Sequence, residues 1–401
     1  MTQDVSQARP RLALVTGCLD LGGTTTFLCN LGGELVRRGI PSRVFSFEHN
    51  HPLASDFRRL NLPVSLYDER RLIYEDRLLL ILRELAEFRP TAVLANLSAT
   101  SFEVLRYVPA GVFRIGMAQS NHSGAYRLVQ SYARQVDLMA AISKTIKDTL
   151  AALPEFANVE VKYLPLGVPI PEEKSLPQRD FKAPLRILYL GRLDREHKRV
   201  HLLPAIFSRL RDSGIPFHWT IAGNGPERAA LEAQIKSEAN QTVSFAGQVA
   251  YAGVPALLAS HDIFLLVSDS EGLPLSLLEA MGYGLVPVVS DLPSGIGEVV
   301  DENTGKRVAP ENIAGYAEAM IWLHHHREER RQLSERARKR VERDFSVTAM
   351  GDRWLTVLPP APQTELHWPA HYTIKPILAA PNPWRYLAPM RGLRRLVRKF
   401  F

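Results

Sequence analysis

The stretch His261-Asp-Ile-Phe-Leu-Leu-Val-Ser-Asp-Ser-Glu-Gly-Leu-Pro-Leu-Ser-Leu-Leu-Glu-Ala-Met-Gly-Tyr-Gly-Leu-Val-Pro-Val-Val-Ser-Asp-Leu-Pro-Ser-Gly-Ile-Gly-Glu298 decides how the chain is read. Ile263 to Val267 has the length and β-branched content of a buried strand. A polar turn follows, Ser268-Asp269-Ser270-Glu271-Gly272. Pro274 lacks an N–H and is expected in the first turn of a helix, where that donor has no partner anyway. Leu275, Leu277, Leu278 and Met281 supply the apolar face, and Gly282 and Gly284 end the helix. Val286 to Val289 opens the next strand. In parallel α/β sheets, ligands bind at the carboxyl ends of strands. Glu271 therefore stands at a binding edge. Glu279 lies one to two turns inside the helix, roughly 7 Å along its axis from Pro274 at about 1.5 Å per residue.

The frame S-E-G-L-P-L-x-L-L-E-A-M-x-x-G-x-P-V-V, with two glutamates eight positions apart, resembles the signature of the family 4 retaining glycosyltransferases. The plain alternative is a solvated Glu271 and a surface ion pair at Glu279. The resemblance implies an α/β architecture of GT-B type: two Rossmann-like doubly wound parallel-sheet domains facing a cleft, here with a C-terminal tail. It implies that Glu279 holds the ribose hydroxyls of a nucleotide sugar and that Glu271 contacts the donor sugar. Amides of Gly272, Leu273, Pro274 and Leu275 are in place for sugar and phosphate, less the proline's missing N–H, since a helix N-terminus favours anions.

Outward from this stretch, the pattern of strand, turn and helix recurs. Leu185 to Leu190 reads as a strand, followed by Gly191-Arg192-Leu193-Asp194-Arg195-Glu196-His197-Lys198-Arg199. Cations fixed at such a turn stabilise a nucleoside diphosphate leaving group. The resemblance gives Arg192 and Lys198 that role. Relatives usually follow this lysine with glycine; Arg199 departs from that. Trp219 to Ala222 is a strand running into Gly223-Asn224-Gly225-Pro226-Glu227, similar to the family's G-x-G-P-E turn. Val243 to Ala246 is the next strand, and Val249, shortly after it, is expected to face the nucleotide base.

In the first half, Leu12 to Thr16 is a strand. Gly22 and Gly23 then open a helix at Thr24, an arrangement that presents free N–H groups to a phosphate. By resemblance this loop closes over the donor diphosphate and borders the acceptor. Further strands are expected at 42–47, 92–95, 113–118 and 138–142, with a helix at 76–88. His122 follows the end of strand 113–118, where related enzymes place a histidine near the donor sugar. Alternating strands and helices imply parallel sheets.

The 401 residues suggest two or three domains on length alone. Pro165, Pro169 and Pro171 break regular structure, so the expected division is 1–171 (acceptor side), 172–344 (donor side), a helix at 345–358 crossing back, and a tail over 359–401. No stretch has the roughly 18 uninterrupted apolar residues of a bilayer span, and the N-terminus lacks the form of a signal peptide. Cys18 and Cys29 are the two cysteines, which fits a reducing, cytoplasmic setting without a disulfide framework. The net charge of +7 suits anionic substrates or surfaces without choosing among them.

His49-Asn50-His51-Pro52 and His324-His325-His326 invite a metal reading. The first lacks a third ligand. The second sits on a predicted helix, where consecutive side chains diverge by about 100°. No metal and no cofactor is expected, only a nucleoside-diphosphate sugar as co-substrate. The implied reaction is retaining transfer of a hexosyl-type sugar to a hydroxyl of a glycan or lipid-linked acceptor, with nucleic acid not a partner. Rival readings are a nucleotide-sugar epimerase or hydrolase on the same fold, a metal-dependent GT-A enzyme, and a non-catalytic glycan-binding protein. The tail lies outside the resemblance. Leu393, Leu396, Val397 and Phe400 share a helical face, with Arg391, Arg394, Arg395, Arg398 and Lys399 around them. Such a segment lies well on an anionic membrane surface, which would hold the protein peripherally at the cytoplasmic face. Packing on the protein itself or on a partner subunit is the alternative.

Overall fold

The computed structural model describes residues 9–47, 51–67, 72–236, 242–362, 364–375 and 378. The chain divides into two compact units. Unit 1 comprises Met1–Ile142, Ile146–Pro165 and Met350–Phe401; unit 2 comprises Ser143–Thr145 and Leu166–Ala349.

Unit 1 is built on a parallel sheet of seven strands: β1 (Leu12–Thr16), β2 (Ser42–Ser46), β3 (Val64–Leu66), β4 (Ala92–Asn96), β5 (Phe113–Ala118), β6 (Leu138–Ala141) and β7 (Glu160–Tyr163). Their order across the sheet is β3-β2-β1-β4-β5-β6-β7. Every residue of β1 and β4 is buried. That is why these strands read as continuous apolar runs rather than alternating ones: helices cover both faces of the sheet. The edge strands β3 and β7 are short and half-exposed. They carry too little apolar pattern to be seen in the sequence, and were not expected.

Unit 2 has six parallel strands: β8 (Leu185–Leu190), β9 (Phe217–Ala222), β10 (Val243–Gly247), β11 (Ile263–Leu266), β12 (Val286–Ser290) and β13 (Lys306–Val308). The order is β10-β9-β8-β11-β12-β13. The register pairs Ile263 with Ile187 on one side and with Val286 on the other. Trp219 is fully buried, with Phe207 at 6.5 Å between ring centroids, and Phe207 meets Phe217 edge-on at 5.9 Å. Burying one large apolar side chain contributes about 1.5–3 kcal/mol, so β8, β9 and β11 form the rigid centre of this unit.

The same electrostatic device ties strands in both units. Asp262, buried just before β11, accepts from the Arg186 backbone N–H and from its guanidinium at 2.8 and 2.9 Å. Asp137, just before β6, receives Arg114 of β5 in the same way.

The helices at the ends of the chain differ in detail from expectation. The first is Gly23–Arg37, and the last is Val347–Leu355. Trp354 of the last helix is fully buried in unit 1, 6.4 Å from Phe27, and Arg38 pairs with Asp352 at 2.7 Å. The described part of the tail is packed on unit 1. Glu365 pairs with Arg89, the Lys375 N–H donates to the Tyr107 hydroxyl, and Ile374 is buried. The Leu378 N–H reaches Glu103, a fully buried carboxylate that also accepts from Tyr132 and Arg106. The tail lay outside the family resemblance, and a buried acid of unit 1 receives its described part. Residues 391–401 of the basic segment lie outside the described residues, as do His49 and Asn50. Among the described residues no helix is long and apolar enough to cross a membrane.

Candidate functional site

Each sheet has one switch point, where successive strands depart in opposite directions. In unit 2 it falls between β8 and β11, in unit 1 between β1 and β4. The crevice outside the carboxyl ends of such strands is the expected ligand position.

At the unit 2 switch point, the loop after β8 and the loop after β11 are adjacent and bonded. The Asp269 N–H donates to the His197 carbonyl at 2.8 Å. Lys198 Nζ donates to Glu271 Oε1 at 2.5 Å, and Ser268 Oγ donates to the same oxygen at 2.6 Å. The Glu271 side chain is 9% exposed and that of Lys198 22%. A pair this sheltered holds its geometry better than a surface pair, because water and salt screen it less.

Asp194, missed in the sequence reading, organises the loop. Its Oδ1 accepts from the N–H groups of His197 (2.7 Å) and Lys198 (3.0 Å), and its Oδ2 takes the Arg192 Nε at 2.6 Å. Burial acts to raise its carboxyl, but the two amides and the guanidinium outweigh it and hold the group below the usual carboxylate range. The visible signal was an aspartate three and four residues before amides it can cap. Arg192 keeps 63% of its side chain exposed despite this bond, so its guanidinium has donors to spare.

Glycines make the close approach possible. Gly223 has φ +143°, and a Cβ there would lie 1.9 Å from the Gly191 carbonyl oxygen. A Cβ on Gly225 would lie 2.2 Å from that of Leu193. The G-x-G-P-E turn thus packs directly on the Arg192 loop, through Leu193 N–H to Asn224 carbonyl at 2.9 Å. The Gly223 N–H in turn donates to the Gly247 carbonyl, which leads to half-buried Val249. Gly272 accepts from the Gly295 N–H at 2.7 Å, fixing the turn before the glutamate helix.

That helix is Leu275–Gly282; Pro274 precedes it as an extended cap residue rather than lying in its first turn. Leu273, Pro274 and Leu275 are buried, which turns the first amides of the helix toward a fixed edge. Glu279 is different from every other acid here. Burial pushes its carboxyl up to about 7, and no hydrogen bond or ion pair to its carboxyl occurs among the described residues.

Arg199, where the resemblance leads to the expectation of glycine, adopts φ +48°, the left-handed conformation that favours glycine. Its guanidinium reaches Glu311 at 2.7 Å and Asp269 at 3.5 Å. Side-chain bonds thus hold a backbone shape that glycine would reach without strain.

In unit 1, the edge is open. Gly22 is exposed, has φ 167°, and a Cβ there would meet nothing within 4 Å. Gly23 begins the helix, so its amide and the next two have no intrahelical acceptor. His122 caps the helix Ser123–Ser131, its Nδ1 accepting from the Ala125 N–H at 3.2 Å. The ring proton therefore sits on Nε2, which is a donor. Unit 2 joins Lys198 to Glu271 and packs Gly223 against Gly191 beside Arg192, with Val249 after β10 and Gly272–Leu275 and Glu279 after β11; Gly22, Gly23 and His122 follow strands of unit 1.

The histidine clusters take other parts. His51 bridges Ser46 and the Tyr67 carbonyl at 3.3 and 3.2 Å. His326 stacks on Trp322 at 4.2 Å, and His324 is buried. Among the described residues no three His, Cys, Asp or Glu side chains are grouped to hold a metal ion.

Two family models match: Glycosyltransferase Family 4 over residues 21–170 and Glycosyl transferases group 1 over residues 172–340. WcaL of Escherichia coli K12, named for colanic acid biosynthesis, is 31% identical over 228 residues, 54% of this chain and 55% of that protein. The amylovoran biosynthesis glycosyltransferase AmsK of Erwinia amylovora is 33% identical over 47% of each chain. The chain spans about half the length of the curated relatives it matches. Among solved structures, TarM of S. aureus, in a complex containing UDP, aligns over 87% of this chain and 99% of its own with a TM-score of 0.74 at 13% identity. HepE of Anabaena with UDP-glucose gives 0.71 at 16% identity, over 87% and 99% of the two chains. These likenesses show the fold, GT-B with two Rossmann-like domains. With a glycosyltransferase model on each half and the Glu271–Glu279 frame at the switch point, the chain belongs to the group 1, family 4 glycosyltransferases.

Proposed function

We propose that this protein is a retaining glycosyltransferase that moves a sugar from a nucleoside diphosphate to a hydroxyl of a glycan or lipid-linked acceptor. The observation that carries the reading is the pairing of fixed cations with an unsatisfied acid at one sheet edge. Arg192 is anchored on Asp194 and Lys198 on Glu271, while the Glu279 carboxyl has no hydrogen-bond or ion-pair partner among the described residues. Arg192 and Lys198 bind the diphosphate and stabilise charge as the sugar–phosphate bond breaks, in place of a metal. Glu279 accepts the ribose hydroxyls. Glu271 faces the donor sugar, with the amides at the start of Leu275–Gly282 supporting its phosphate. Val249 borders the base. Gly22, Gly23 and the Nε2–H of His122 serve the reacting end. The leaving phosphate takes the acceptor proton on the face it departs from, which retains the anomeric configuration without a protein nucleophile.

A thermal-shift panel of nucleotide sugars, UDP-sugars first because TarM and HepE were solved with UDP or UDP-glucose, tests the donor assignment. A ligand at a hundredfold over its dissociation constant raises stability by about 2.7 kcal/mol. Proton NMR of early product reads retention. Activity that EDTA abolishes and manganese restores would defeat the metal-free mechanism; an inverted product would defeat retention.

The basic segment 391–401 is proposed to hold the protein on an anionic membrane surface, each basic side chain adding about 1 kcal/mol. Because the tail up to Leu378 contacts unit 1, the informative truncation ends at Leu378 rather than Leu358. Equal co-sedimentation of full-length and truncated protein with anionic vesicles would sink this idea.

A further inference from the structure

The loop that carries Arg192 and Lys198 also borders a second recess, of about 210 Å³. Arg195, His201, Glu227 and Gln234 give it polar lining, and Val200, Ala230 and Leu231 apolar lining. None of Arg192, Lys198, Glu271 and Glu279 lines it.

Its lining carries charges of both signs. Nearby arginines are paired: Arg192 with Asp194, Arg199 with Glu311, Arg228 with Glu232. Arg195 and Glu227 carry opposite charges on the same recess, yet neither side chain makes a hydrogen bond or ion pair with a described residue. His201 Nδ1 is buried and without a partner. Burial first, then the nearby Arg195 and Arg199 cations, lower the His201 imidazole, so it is neutral at pH 7.

This lining selects its ligand by elimination. An inorganic anion satisfies Arg195 but meets Glu227 unfavourably, and a cation does the reverse. A neutral molecule whose groups both donate and accept satisfies the guanidinium, the carboxylate and the neutral imidazole together. Vicinal hydroxyls do this, and the C–H face of a sugar ring suits exposed Ala230. The volume equals about seven waters at about 30 Å³ each, the scale of one sugar ring. We propose that this recess is a saccharide subsite distinct from the donor site, taking a single neutral sugar residue through Arg195, His201 and Glu227.

The test uses the full chain with saturating UDP to block the donor site, and saturation-transfer NMR with the methyl glycosides of glucose, galactose, mannose and N-acetylglucosamine. At least one glycoside should bind saturably. Binding should weaken about tenfold in Arg195→Gln and in Glu227→Gln, the loss of one charge-assisted hydrogen-bonding partner. It should vanish in Ala230→Phe, which fills the recess. UDP affinity unchanged in these variants shows that they fold. No saturable glycoside, or binding that survives both Arg195→Gln and Ala230→Phe, overturns the proposal. So does occupancy of the recess by inorganic phosphate or glycine while every glycoside fails. Absence of glycosyl transfer leaves this readout untouched, so failure of the transferase reading and failure of the subsite are distinguishable.

Discussion

The turns after β1 and after β8 occupy the same place in their sheets, yet they are built in opposite ways. The β8 turn is locked: Asp194 gathers two amides and Arg192, Gly223 presses on Gly191, and Arg199 is held in a left-handed conformation by two acids. The β1 turn is tied at its start, where the Gly17 carbonyl accepts from Phe47 and Ser46 and the Leu19 carbonyl from Leu53; at its end Gly22 is exposed and extended, and a Cβ there would meet nothing within 4 Å. A site that must present charge to a developing phosphate gains from preorganisation, because fixed dipoles need no rearrangement during the reaction. A loop that must admit and release substrate gains from the reverse. The difference teaches that one sheet position can be built two ways, densely bonded after β8 and exposed at Gly22 after β1.

The largest expected effect breaks the locked turn at its charge. Lys198→Ala should lower turnover by about 10²–10³-fold, the range for losing one transition-state donor. It also leaves Glu271 with Ser268 as its one hydrogen-bond partner among the described residues. Steady-state kinetics with UDP affinity measured separately will check this; a loss confined to KM would mean that Lys198 binds ground state and transition state alike.

Next come the two glycines. Gly223→Ala forces a Cβ to 1.9 Å from the Gly191 oxygen at φ +143°, and should cost about 2 kcal/mol, or about 4–8 °C in Tm. Gly22→Ala should leave Tm unchanged. Similar Tm shifts for both would erase the contrast between the turns.

Glu279→Gln tests the unsatisfied acid. The native carboxyl holds its proton up to about 7, against 4.5 for the ordinary group. Between these values the folded state binds more protons than the unfolded state, so stability falls as pH rises from 4.5 to 7 and is level above. The variant lacks this slope. It should exceed wild type by about 2 kcal/mol at pH 8, after allowance for the part of the side chain that stays exposed, and match it near pH 4.5. UDP binding should still be weaker. Calorimetry at pH 6.5 in buffers of different ionisation enthalpy should show wild type releasing protons on binding UDP, as ribose hydroxyls favour the charged carboxylate. Pure wild-type behaviour in the variant would remove Glu279 from the ribose.

The smallest effect is at Arg199→Gly. Relief of left-handed backbone, about 1 kcal/mol, opposes loss of the Glu311 and Asp269 pairs. The net change in Tm should stay under about 3 °C. A larger fall would mean that the ion pairs, not the backbone, hold the loop.

Much of this was legible in the residues. The strands β1, β4, β8, β11 and β12 announce themselves because burial on both faces demands unbroken apolar runs. Glu271, Arg192 and Lys198 stand at turns whose place at a sheet edge follows from alternation of strand and helix, and Glu279 lies in the helix that follows one of them. The edge strands β3 and β7 were invisible, since half-exposed three- and four-residue segments carry no pattern distinct from loop. The contacts of the described tail with Tyr107 and Glu103 were not legible either, because a segment that packs without forming helix or strand carries no periodic pattern.

The sequence by itself determined which side chains stand at the carboxyl ends of the strands, because periodicity and turn chemistry are local. Only the tertiary structure decided their condition. Asp194 becomes an organiser because the chain curls its own amides back upon it, and Gly223 is indispensable because another turn's carbonyl lies against it. Glu279 is driven up to about 7 because packing removes water from a carboxyl and supplies no partner. Desolvation and close approach depend on what distant segments bring to a residue, and no window of local sequence contains that information.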